Sequence, residues 1–305
     1  MKNLYIDYSH LCYRALFVLS SDIQEVGYNI LRHFLLKNIL SSIDKFSPTK
    51  CYIACDSKKN WRKKFYPEYK AQRKEAKEKR EEVDWEKFYE TINECSNSFK
   101  VAFPFYVITQ DYLEADDIIA SLIRNNKNNE EHIVITSDGD YKQLLQYSNT
   151  KIYCPIKKSF MVSDNPFYYL EIKIVMGDKG DNIPAISKRI GIETATKLVD
   201  GEIAYKDQTL SQMMENSEIK ANYERNKKLI DLTKTPKELI GRLDKELMEY
   251  KLASSAGIFQ YFIDHKLRDL LSNIEEISKS LAPLNPGYKK PEKKSSGGVF
   301  EELSL

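Results

Sequence analysis

Histidine and cysteine are both scarce: four and five residues, respectively, in a chain of 305. The cysteines, at 12, 51, 55, 95 and 154, are odd in number and form no CxxC pair, which argues against a disulfide framework and for a reducing, cytoplasmic setting. The histidines, at 10, 33, 132 and 265, form no ligand-like pair, so neither a zinc site nor a His-driven nucleophilic triad is indicated. Long apolar runs are missing too. The opening stretch is broken by Asp7 and Arg14, so it reads as neither a signal peptide nor a membrane span, and no membrane partner is expected. Nor is there a strong net charge. With 47 basic and 45 acidic residues the balance is +2, which excludes a uniformly basic coat.

What remains is a globular chain of about two domains, 42% apolar and rich in Tyr and Phe. Several short apolar runs end in an acid. Leu4 to Ile6 runs into Asp7, Cys51 to Cys55 into Asp56, and Ile133 to Ile135 through Thr136 and Ser137 into Asp138. Such runs suit strands buried on both faces, and the stretches between them (26–46, 114–124) suit helices. The predicted fold class is α/β, a mostly parallel central sheet with helices on both faces. In such sheets ligands bind beyond the carboxyl ends of the strands, where these aspartates fall. Strand signals stop after Gly177. A boundary is therefore expected near 175, with a catalytic domain over 1–175, a helical domain over 176–285 and a Lys/Gly/Ser-rich tail over 286–305.

The acids form four groups: Asp7 with Asp56; Glu114, Asp116 and Asp117 at a helix start; Asp138 and Asp140; and Asp178 and Asp181 in a glycine-punctuated turn. Glu114 and Asp117 are expected to share a helix face, with Asp116 pointing elsewhere. Singly, each is an ordinary cap or turn residue. Together, nine acids at one end of a sheet repel unless divalent cations neutralise them, and an oxygen-only ligand set selects Mg²⁺ or Mn²⁺. Two such ions can clamp a phosphodiester, which predicts nuclease chemistry.

Residues 58–82 hold 11 Lys/Arg against five Glu, a local balance of +6, interleaved with Trp61, Phe65, Tyr66 and Tyr69. Cations there, Lys58, Lys59, Arg62 and Lys63 among them, would track phosphates, and aromatic faces would stack on bases. The alternative, a solvated helix with i, i+4 ion pairs, suits only residues 74–82. Further on, Ile183 to Ile192 with Lys188, Arg189 and Gly191, followed by Lys197, reads as a helix–turn–helix hairpin gripping a duplex backbone.

With IDYSH, ACDSKKNWRKKFYPEYKAQR, EADD, TSDGD and GDKGDNIP in this order, the chain resembles the 5′-nuclease (flap endonuclease) superfamily, nearest its primer-removing ribonuclease H branch in bacteriophages. The resemblance runs from Leu4 to about Val199. It implies a PIN-like catalytic domain with a basic arch over about 58–100, then a helical domain with a helix–three-turn–helix. It implies a first metal on Asp7, Asp56, Glu114, Asp116 and Asp138, with Asp117 close by, and a second on Asp140, Asp178 and Asp181. Lys70 and Arg73 match the basic pair that addresses the scissile phosphate, with Tyr69 beside them. Residues 178–197 match the duplex-holding hairpin, where some relatives bind K⁺; here it reads Ile-Ser-Lys-Arg-Ile-Gly-Ile in place of Gly-Val-x-Gly-Ile-Gly, a departure at that cation site. The arch segment is also short for threading a long flap. The resemblance implies a monomeric, Mg²⁺-dependent 5′-to-3′ exonuclease and flap endonuclease acting on RNA·DNA hybrids and branched DNA in phage replication. Its further partners would be a single-stranded-DNA-binding protein and a sliding clamp, the latter docked through Phe300, Leu303 and Leu305 of the tail. Two other readings stand beside it: a PIN-type ribonuclease without the hairpin, and a non-catalytic flap- or fork-binding factor.

Overall fold

The computed structural model describes residues 1–125 and 130–289. β1 (Lys2–Asp7) leads into α1 (Tyr8–Val18), α2 (Ser20–Val26) and α3 (Ile30–Phe46), and the chain returns as β2 (Lys50–Ala54). Next come α4 (Trp61–Phe65), α5 (Gln72–Glu78), α6 (Trp85–Ala102), β3 (Tyr106–Ile108), α7 (Ala115–Asn125) and β4 (Glu131–Ile135). A 3-10 turn, Gly139–Gln146, precedes β5 (Thr150–Cys154) and β6 (Ser159–Met161). The rest is helical: α8 (Pro166–Met176), α9 (Ile192–Val199), α10 (Leu210–Met213), α11 (Ser217–Ile230), α12 (Lys237–Glu249), α13 (Ile258–Asp264), α14 (Arg268–Ser272) and α15 (Ile274–Leu281).

The six strands form one sheet in the order β3-β2-β1-β4-β5-β6, parallel except for β6 at the edge. Side chains alternate across it as the strand period requires. Leu4, Ile6, Cys51, Ile53, Val107, Ile133, Ile135 and Tyr153 face the core under α1, α3 and α6. Tyr5, Ala54, Ile108, Val134 and Ile152 face the opposite core under α7 and α12. The expected doubly covered sheet is therefore present. The strand order reverses at β1, the topological switch point at which such sheets bind ligands. All five cysteines are buried free thiols. Among the described residues no helix is long and apolar enough to cross a membrane.

Three expectations shift. The helix expected over 26–46 is interrupted at Gly27, whose φ of 83° turns the chain before α3 begins. The expected boundary near 175 falls within packed structure: Ile172 and Val175 of α8 bury against Ile186, Ile190, Ala195, Leu198 and Met213, and the same helix also packs on the 3-10 turn after β4. Residues 258–284 do not belong with those helices. Ile258, Tyr261, Phe262, Leu267, Leu270, Leu281 and Leu284 complete the core on the α3–α6 face of the sheet, with the Tyr261 hydroxyl accepting from buried Arg32 at 2.9 Å. Apolar periodicity shows that a helix has a face to bury, but not which distant surface receives it.

Candidate active site

Four aspartates meet at the carboxyl end of the sheet. Asp7 ends β1 and caps α1, accepting from the His10 amide at 3.0 Å and the Thr136 hydroxyl at 3.1 Å. Asp56 follows β2 and accepts the Ala115 amide at 2.8 Å, at the start of α7. Asp116 lies in the first turn of α7, and Asp138 caps the 3-10 turn after β4 by accepting the Asp140 amide at 2.9 Å. With Glu114, Ser9, His10, Tyr13, Lys70 and Arg73 they line a cleft of about 170 Å³.

Their charge is poorly balanced from within. Among the described residues no cation lies within 4 Å of Asp7, Asp56 or Asp138, and Asp116 has only Arg62 at 3.8 Å. Burial, then the Asp56 and Asp138 carboxylates, push the Asp7 carboxyl up to about 7. Asp56 opens to solvent but is crowded by protein, and that crowding together with Glu114 raises its carboxyl as well. An all-oxygen set with surplus negative charge fits a hard divalent cation.

Beneath this set lies an ion network not foreseen from the sequence. Arg62, expected to touch phosphate, is 1% exposed and cannot do so. Its guanidinium grips both oxygens of Asp117 at 2.7 and 2.9 Å, donates to Glu114 at 3.0 Å, and reaches the Leu229 carbonyl at 2.8 Å. Asp117, expected near the metal, is wholly buried and also accepts from the Trp61 indole and the Thr235 hydroxyl. Both of its oxygens are thus held by protein donors, as are both oxygens of Glu114, and Glu114, Asp116 and Asp117 bring carboxylate oxygens within 4.8 Å of one another. The expected pairing of Glu114 and Asp117 on one face holds, but that face turns to Arg62, while Asp116 turns to the cleft. Tyr69, expected to stack on a base, is 2% exposed, and its hydroxyl lies 2.9 Å from carboxylate oxygens of both Glu114 and Asp181, with one proton to share between them. Against the penalty of burial, Lys70 and then Arg62 hold the Glu114 carboxyl down at about 2.

The second expected set is paired internally. Asp181 accepts from Arg73 at 2.6 Å and lies 3.5 Å from Lys70, whose ammonium donates to Glu114 at 2.6 Å. Lys173 of α8 bridges Asp140 and Asp178, the latter at 2.7 Å. Asp178 also caps its own turn, accepting the Gly180 and Asp181 amides at 2.8 and 3.2 Å. Gly177 makes that turn possible: its φ is 73°, and a Cβ there would sit 2.4 Å from the Ile183 carbonyl oxygen. Lys173 was missed. A single lysine in the apolar run Ile172-Lys173-Ile174-Val175, five residues before Asp178, was the available signal.

Two concavities flank the acids, the first of mixed charge and the second cationic. One, about 1,170 Å³, lies between α4–α5 and α6. Lys58, Lys63, Lys70, Arg73 and Lys74 line one side, and Glu86, Glu90 and Glu94 the other. Lys59 does not line it, being paired with Asp111 at 2.8 Å. The other, about 950 Å³, is lined by Lys179, Lys188, Arg189, Gly191, Lys206 and Arg225. Gly191 caps α9, and Lys197, further along that helix, pairs with Glu193 at 3.2 Å. Phe300, Leu303 and Leu305 lie outside the described residues.

A family model described as the 5′-3′ exonuclease, N-terminal resolvase-like domain matches residues 2–172. Ribonuclease H of Enterobacteria phage T4 is 27% identical over 290 residues, 89% of this chain and 94% of that protein. The 5′-3′ exonuclease of Buchnera aphidicola subsp. Schizaphis graminum is 32% identical over 177 residues, 54% of this chain and 58% of that protein. The flap endonuclease of Escherichia phage T5 is 27% identical over 132 residues, 39% of this chain and 45% of that protein. Among solved structures, the T5 D15 protein co-crystallised with metal ions superposes at a TM-score of 0.61 and 19% identity, covering 82% of this chain and 99% of that one. The T5 D15 flap endonuclease in a complex with DNA and metal ions gives 0.62 at the same identity and coverage. These structural likenesses establish the shared fold.

Proposed function

The chain belongs to the 5′-3′ exonuclease family, and on that footing we propose that it is a divalent-metal-dependent 5′ nuclease removing RNA primers and adjoining DNA at replication forks. The similarity to proteins named ribonuclease H and flap endonuclease, both of phages, supports RNA·DNA hybrids and branched DNA as substrates and a role in phage replication, which would place the protein in the host cytoplasm. One observation carries the reading. Asp7, Asp56, Asp116 and Asp138 converge short of close countercharge, between a passage with lysines along one side and a cationic groove.

The groove with Lys188 and Arg189 suits the phosphates of a duplex, and favours this reading over a PIN-type ribonuclease lacking it. The passage beside α6 suits a single strand. Asp7, Asp56, Glu114, Asp116 and Asp138 would hold one Mg²⁺, or Mn²⁺ in its place, and Asp140, Asp178 and Asp181 a second. When bound, such ions supply Lewis acidity and neutralise charge at the scissile phosphate. Lys70 and Arg73, held by Glu114 and Asp181, line the cleft, where they would meet the phosphate charge that grows during cleavage. The C-terminal peptide is assigned to a sliding clamp, and single-stranded-DNA-binding protein is a further partner at the fork.

The test is cleavage of 5′-labelled RNA·DNA, nicked and flap substrates in Mg²⁺ and in EDTA, with Asp138→Asn alongside. Cleavage should require Mg²⁺ and be lost in the variant while substrate binding persists. Cleavage in EDTA, or variant activity within about tenfold of wild type, would refute the metal assignment.

A further inference from the structure

α8 is apolar except for Glu171 and Lys173, and Lys173 is 8% exposed. A buried ammonium is tolerated only when paired, and Lys173 is paired twice. Asp140 comes from the 3-10 turn after β4, and Asp178 from the loop that opens the cationic groove; the ammonium joins them. It stands between the two carboxylates that a second divalent cation would have to share. Lys70 and Arg73 hold Asp181, so each acid of this set already faces a protein cation. In the first set Glu114 faces Lys70 and Arg62 and Asp116 lies 3.8 Å from Arg62, but Asp7, Asp56 and Asp138 lack any cation within 4 Å among the described residues, so the two sets differ in how far protein cations already occupy them.

We propose that Lys173 is an internal counter-ion that competes with the second divalent cation. The first site then fills on Asp7, Asp56 and Asp138, which no protein cation has to leave, and the second only as the Lys173 ammonium leaves Asp140 and Asp178. While that ammonium stays, it also keeps the loop carrying Asp178 tied to the 3-10 turn after β4 when the second ion is absent. This rests on the divalent-metal reading above.

Mn²⁺ alone, titrated into the full-length protein and followed by electron paramagnetic resonance, provides the test. Wild type should bind one ion tightly and a second at least about tenfold more weakly. Lys173→Met, close in size and uncharged, should tighten the second site at least about tenfold and leave the first within about threefold. Lys173→Gln should do the same, and circular dichroism should show both variants folded. In wild type, methylation of lysines read by mass spectrometry should find Lys173 protected in EDTA and at one equivalent of Mn²⁺, and modified at saturation. This measurement needs no variant. An unchanged or weaker second site in the folded variants, or protection of Lys173 that persists at saturation, would overturn the proposal. Absence of tight Mn²⁺ binding by wild type would overturn the metal reading beneath it, and so the two failures are distinguishable.

Discussion

Replacing Arg62 with methionine separates a buried counter-ion from a surface phosphate contact. Arg62 and Asp117 are 1% and 0% exposed at their side chains, so the substitution leaves a carboxylate sealed in the protein with only the Trp61 and Thr235 side-chain donors. Breaking a buried pair from one side costs about 3–5 kcal/mol. For a domain of this size each kcal/mol shifts the melting temperature by roughly 2–4 °C, so the expected fall is on the order of 6–20 °C. Asp117→Asn should cost less, because Arg62 keeps Glu114 at 3.0 Å and the amide oxygen of the new side chain can still accept from Thr235. The double variant should recover more than about 1 kcal/mol of the sum of the two single losses, since the stranded charge is gone. Thermal and urea melts in EDTA read all three. A loss under about 1 kcal/mol in Arg62→Met, together with weaker DNA binding and a flatter salt dependence, would refute the buried-pair account.

Other expectations concern rate, pH and the tail. Lys70→Ala should lower the single-turnover cleavage rate more than affinity, because its ammonium sits on Glu114 in the cleft, whereas neutralising exposed Lys58 and Lys63 together should weaken binding and flatten its salt dependence; an unchanged Lys70→Ala rate would remove its catalytic role. Metal-free protein should lose stability as pH rises from about 4 to about 7, because Asp7, ordinarily near 3.8, titrates near 7 when folded, so the native state binds more protons than the unfolded chain across that window. Mg²⁺ should restore that stability, and Asp7→Asn should flatten the slope of melting temperature against pH; an unaltered slope would refute the assignment. Deleting Val299 to Leu305 should leave cleavage of short substrates unchanged and abolish stimulation by the cognate clamp, and full stimulation of the truncated protein would return the tail to a passive end.

The parallel sheet and the acid cleft were legible in the sequence because both are local signals. A strand buried on both faces must be a continuous apolar run, and an acid at its carboxyl end lands at the ligand edge whatever else the chain does. Asp7, Asp56 and Asp138 follow from that rule alone. The partners of charges do not, because pairing is decided by distance in space. Arg62, Tyr69 and Asp117 carry the residue types of a nucleic-acid face and a metal site, yet all three are enclosed once α4 packs beneath α7 and Thr235 closes over them. Lys173 lies 33 residues from Asp140 in sequence, and only the packing of α8 against the 3-10 turn brings its ammonium to that carboxylate. The return of residues 258–284 to the sheet was equally hidden, since an amphipathic helix records that it must bury a face and leaves the choice of surface to the tertiary fold.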